Sequence, residues 1–108
     1  MAFQVEEMAY DLIALLGPLV PQIKRRDRAL ADQLTRAASS IALNIAESNY
    51  SDPGNRRARL FTAAGSANET RAILRVAITW PYLARTEAAQ AQALLDRIVR
   101  ILWALTHR

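Results

Sequence analysis

Fourteen basic side chains, thirteen of them arginine, are the groups through which this 108-residue chain could do chemistry. Arginine's planar fork suits phosphate and carboxylate, because it makes paired hydrogen bonds to both. Arg25 and Arg28 belong to the charged run Lys24–Arg28, and Arg56 and Arg57 open the third expected helix. Arg71 and Arg75 are four apart, Arg97 and Arg100 three apart, so each pair shares a helix face. Stripes of this kind on adjacent helices would form a surface facing phosphates. The chain has no helix-turn-helix signature, basic zipper or aromatic RNA-binding motif. RNA or DNA would therefore be held by its backbone, with little reading of bases. An acidic protein partner, or plain solvation of the charges, is the competing explanation.

Other chemistry is scarce. Without cysteine there is no thiolate nucleophile or thiolate metal site. The only histidine, His107, is penultimate and reads as terminal surface rather than as a base. No Ser/His/Asp arrangement, phosphate loop or dinucleotide fingerprint is present. Neither of the Glu-x-x-His pairs of a di-iron bundle occurs. No catalytic residue, metal or cofactor is expected, and the protein reads as non-enzymatic. Glu47 and Glu69 lie beside small residues and would need partners if buried, with Arg36, Asn44 and Arg71 as candidates. Trp80, Tyr82 and Trp103 are expected near one end of the fold, in packing or as a platform for bases.

These residues must be positioned by helices. Apolar residues recur at three and four over Val5, Met8, Leu12, Leu15 or Leu16, and Leu19, and again over Leu30, Leu34, Ala37 or Ala38, Ile41 and Ile45. A third stripe is read over Leu60 or Phe61, Ala64, Ala67 or Asn68, Ala72, Val76 and Trp80, and a fourth over Ala91, Leu94 or Leu95, Ile98, Leu102 and Leu105. The spans predicted are 5–20, 27–49, 56–83 and 87–106, within one domain over 1–108. Pro21 stops the first, with Gly17-Pro18 as an earlier kink, Asp27 caps the second, and Ser51–Asn55 is the clearest turn. Short connections make this an all-α, antiparallel up-down-up-down four-helix bundle. Leu43, Ile73, Ile78 and Leu95 lie off the main stripes, which points to self-association. The N-terminus does not read as a secretory signal, and the longest apolar run, 13–20, is far short of a membrane span. A cytoplasmic protein with no membrane partner is expected.

Two blocks carry a family resemblance. Gln33-Leu34-Thr35-Arg36-Ala37-Ala38-Ser39-Ser40-Ile41 with Asn44-Ile45-Ala46-Glu47 is one, and Phe61-Thr62-Ala63-Ala64-Gly65-Ser66-Ala67-Asn68-Glu69 is the other. With their spacing, the chain resembles the bacterial four-helix-bundle proteins first noticed as products of intervening sequences in large-subunit ribosomal RNA genes. The resemblance implies a homo-oligomeric ring, usually a pentamer. It also implies kinship with the accessory proteins of diversity-generating retroelements, which associate with a reverse transcriptase and its nucleic acid. A separately encoded protein is thus a further expected partner. By the same resemblance Arg36, Asn44, Glu47, Ser66 and Glu69 form a polar network tying the second and third helices, and Gly65 admits a close helix approach. Ser48 and the stretch Asn49-Tyr50-Ser51-Asp52-Pro53 depart from the family's glycine and basic turn.

Overall fold

Pro18 and Pro21 each lack the N–H that a continuous helix requires, and an interior proline costs about 3 kcal/mol. The chain responds by breaking and restarting. The computed structural model, which describes residues 2–108, contains five helices: α1 (Ala2–Leu16), α2 (Val20–Arg26), α3 (Arg28–Ser48), α4 (Pro53–Thr79) and α5 (Arg85–Thr106). The expected four-helix bundle is therefore corrected to an all-α fold of five helices. The helix expected over 5–20 ends at Leu16. The Leu19 N–H closes a tight turn on the Leu16 carbonyl at 2.9 Å, and Pro21 falls in the first turn of α2, where a missing donor is harmless. The pentamer of four-helix protomers implied by the resemblance is corrected with it, since the protomer has five helices.

Local chemistry sets the other ends. Asp27 accepts from the Leu30 N–H at 2.9 Å and caps α3. Asp52 accepts from the Asn55 N–H at 3.0 Å, which starts α4 at Pro53 rather than at 56. That backbone bond, followed by one from the Asn55 side chain, holds the Asp52 carboxyl below its ordinary pKa. α4 stops at Thr79, short of 83, where the Tyr82 and Leu83 N–H groups both turn back to the Ala77 carbonyl. Glu87 accepts from the Ala84 N–H at 2.8 Å, so α5 starts at Arg85.

α1 packs on α3 and α5, both of which pack on α4, while α2 lies on α3. α1 and α4 are thus on opposite sides of a rod measuring 42 × 22 × 19 Å. The core is aliphatic, with Leu12, Leu34, Ile41, Ile45, Leu74, Leu95, Ile98 and Leu102 fully buried. The stripes expected on α1 and α3 are buried, but that on α4 is displaced. Its buried residues are Leu60, Ala63, Ala67, Thr70, Ile73, Leu74 and Ala77, whereas Ala72, Val76 and Trp80 face outward. Ile73, read as off-stripe, belongs to the core, as does Leu95, which is also an alternative position of the fourth stripe, while Leu43 is 63% exposed. Gly65 makes no close helix approach: it is exposed, and a Cβ there would meet nothing within 4 Å.

Candidate nucleic-acid interface

Small residues bring α3 and α4 together, and polar groups along that seam bond to each other. Ser40 Oγ lies 2.7 Å from Ser66 Oγ. Asn44 Nδ2 donates to the Ser40 carbonyl at 2.9 Å and to its hydroxyl at 3.0 Å. One step toward the 49–52 connection, Arg59 Nε meets Glu47 Oε2 at 3.0 Å. Asn44, Glu47 and Ser66 of the expected network thus sit on the seam, with Ser40 and Arg59 as partners the sequence did not supply. Arg36 lines the same shallow surface, together with Thr35, Ser39 and Leu43. Glu69 is exposed and forms no ion pair among the described residues.

The other flank of α4 is different. Arg57, Phe61, Asn68, Arg71 and Arg75 recur at intervals of three, four and seven, which sets them in one stripe along α4. Gln92, Asp96, Arg100 and Trp103 recur likewise along α5, and His107 follows at the same spacing just past its end. Between the two stripes runs an open groove of about 610 Å³ lined by Asn68, Arg71, Ala72, Arg75, Gln92 and Asp96. Arg71 donates to Asn68 Oδ1 at 2.9 Å and reaches Asp96 Oδ1 at 3.3 Å. Both partners of that ion pair are about half exposed, so it contributes little to stability and an incoming phosphate can compete for the guanidinium. Arg75 forms no ion pair among the described residues. It also lines the adjoining groove formed with Val76, Thr79 and Trp80.

Charge is sorted across the rod. α4 carries five arginines and one glutamate, whereas α1 carries Glu6, Glu7 and Asp11 and no base. On α1 the Tyr10 hydroxyl donates to Glu6, and this bond raises the phenol's pKa. The α4 side of the rod is therefore the more positive and the α1 side the more negative.

The remaining arginines do not join the groove into one sheet of charge. Arg25 lies near the C-terminus of α2 and Arg28 opens α3, at the end of the rod where Arg26 covers the Tyr82 ring at 5.5 Å. Arg56 and Arg57 start α4 at the opposite end, where Arg56 Nε donates to the Ser48 carbonyl at 3.2 Å. Arg97 and Arg100 line a separate shallow surface with Ile101 and Ala104. The aromatic residues expected together are also divided. Trp80 stacks on Tyr82 at one end, while Trp103 stacks on His107 at the other. Antiparallel α4 and α5 require this, because the two tryptophans lie near the C-termini of the two helices. Gln92 and Asp96 do not stand out in the sequence, Asn68 stands there only as an alternative stripe position and in the second resemblance block, and His107 reads as terminal surface. The spacing of the two stripes was the signal that could have found them.

Among the described residues, no group of three His, Asp or Glu side chains could hold a metal ion. No helix there is long and apolar enough to cross a membrane. The profile of the family described as 23S rRNA-intervening sequence protein matches residues 2–104. Among solved structures, the fold is similar to a protein of unknown function from the S23 ribosomal protein family of Bacteroides thetaiotaomicron. The two share 20% identity and a TM-score of 0.88, over 96% of this chain and 99% of the other. No curated protein matches the chain.

Proposed function

The chain belongs to the 23S rRNA-intervening sequence protein family, and from that premise we propose a one-domain, non-enzymatic, cytoplasmic module that self-associates and holds RNA or DNA by its phosphates. The observation that carries this reading is the α4/α5 groove, in which Arg75 has no ion-pair partner among the described residues and Arg71 has an exposed, replaceable one. Asn68 and Gln92 add neutral donors beside the two guanidiniums. Arg57 and Arg100 lie on the two stripes that border the groove, while Arg25, Arg28, Arg56 and Arg97 widen the positive field without lining it. Asp96 keeps the surface from being uniformly positive. The absence of cysteine suits a reducing compartment.

The test is fluorescence anisotropy of labelled structured RNA and of duplex DNA, titrated at low and at physiological salt. Phosphate contacts release counterions, so affinity should fall steeply as salt rises. Failure to bind either probe at low salt refutes the reading.

Self-association is supported on the other flank. Ile13, Gly17, Val20, Thr35 and Ser39 line a mostly apolar groove that continues past Thr35 and Ser39 to the exposed Leu43. This strip leaves the α4/α5 groove free. Sedimentation as a monomer at all concentrations would refute self-association. A separately encoded protein is the alternative occupant of the strip, and stoichiometric co-purification of one would favour it. The implied kinship with retroelement accessory proteins makes a reverse transcriptase the first such protein to try.

A further inference from the structure

We infer that the α4/α5 groove ends in a stacking shelf for an unpaired base, so that the preferred ligand is a single-stranded nucleic acid. This rests on the phosphate reading and adds the class of strand. Phe61 from α4 and Trp103 with His107 from the end of α5 meet beyond the arginine groove. The His107 ring lies parallel to Trp103, with centroids 4.2 Å apart and planes inclined by 11°. Phe61 meets His107 edge-on at 6.1 Å, and the Arg57 guanidinium covers the Phe61 ring at 5.3 Å. Phe61 precedes Arg71 by ten residues, about 15 Å along the helix axis.

These rings are fixed in place, yet they are not part of the core. His107 Nδ1 lies 2.8 Å from the Trp103 carbonyl and 3.1 Å from Thr106 Oγ1, which sets the ring against the indole. Trp103 is nevertheless 61% exposed and Phe61 45% exposed. Large rings held in position and about half exposed, beside guanidiniums, are the combination that binds a strand by stacking together with phosphate contact. Every base offers a flat face, so such a shelf is indifferent to sequence. A duplex keeps those faces inside its own stack and cannot use it.

The test compares an oligothymidylate of about twenty nucleotides with a duplex of the same length, on the full chain, for wild type, Trp103→Ala, Trp103→Phe and the double variant Arg71→Gln/Arg75→Gln. Trp103→Ala should weaken single-strand binding by about fivefold or more and leave duplex binding unchanged. Trp103→Phe should retain most of the single-strand affinity. The double arginine variant should weaken both probes. Unchanged single-strand affinity in Trp103→Ala, or an equal loss on both probes, overturns the shelf. So does a change in self-association with affinity intact, which would make the shelf a contact between copies. The phosphate reading fails separately if the arginine variant loses affinity for neither probe. Circular dichroism melts confirm that each variant is folded.

Discussion

The two flanks of α4 use similar polar groups to opposite ends. Toward α3, Ser66 and Arg59 are engaged by Ser40 and Glu47, and Asn44 closes on Ser40. Toward α5, Arg75 forms no ion pair among the described residues, Arg71 holds only an exposed pair with Asp96, and Phe61 faces outward. The first flank is an interface whose polar groups are paired, and the second is an exposed surface on which Arg75 is left without an ion pair among the described residues. Residue type does not separate them: arginine occurs on both. What differs is whether the neighbouring helix supplies a matching group at the right register.

If this contrast is correct, substitutions on the two flanks should have separable effects. The largest is expected from Arg71→Glu/Arg75→Glu, which should nearly abolish nucleic-acid binding at physiological salt while the melting temperature changes little, as read by anisotropy and calorimetry. Next is Ala67→Leu. Ala67 is fully buried, so the added bulk should cost roughly 1–3 kcal/mol of stability in a denaturant titration, with affinity preserved in the protein that remains folded. Ser40→Ala and Ser66→Ala should each cost about 0.5–1.5 kcal/mol. Because the hydroxyls bond to each other, the double variant should lose clearly less than the two single losses combined, and additivity in this cycle would argue against the seam. Gly65→Ala should be the mildest change and a favourable one, adding about 0.5–1 kcal/mol, since the helix there is exposed and has room for a methyl group. A loss of stability would instead place a neighbour against Gly65.

The same contrast explains what the sequence revealed. α3 was legible because Leu30, Leu34, Ile41 and Ile45 alternate with polar residues at a clear helical period. α4 was misread because alanines occur on most of its faces and dilute that period. Its buried Thr70 also looks polar in sequence, yet its hydroxyl donates to the Ser66 carbonyl at 2.8 Å and is satisfied within the helix. Gly17-Pro18 reads as a kink and Pro21 as the end of the helix, but the sequence does not show that the chain restarts between them as a separate short helix. The arginines were visible from the start, but their division into partnered and unpartnered groups was not. That division depends on Asp96 lying opposite Arg71 and Glu47 opposite Arg59, a register set by the connections 49–52 and 80–84 and by the packing of α4 between α3 and α5.

The most direct measurement is an NMR titration of isotope-labelled protein with single-stranded RNA at low salt, following backbone amides and arginine side-chain signals. The expected shifts concentrate on Phe61, Asn68, Arg71 and Arg75 of α4, on Gln92, Arg100 and Trp103 of α5 and on His107 just past it, with Ser40, Asn44 and the acidic face of α1 unmoved. Shifts confined to Lys24–Arg28 or to the α3/α4 seam, or no shifts at all, would contradict the account.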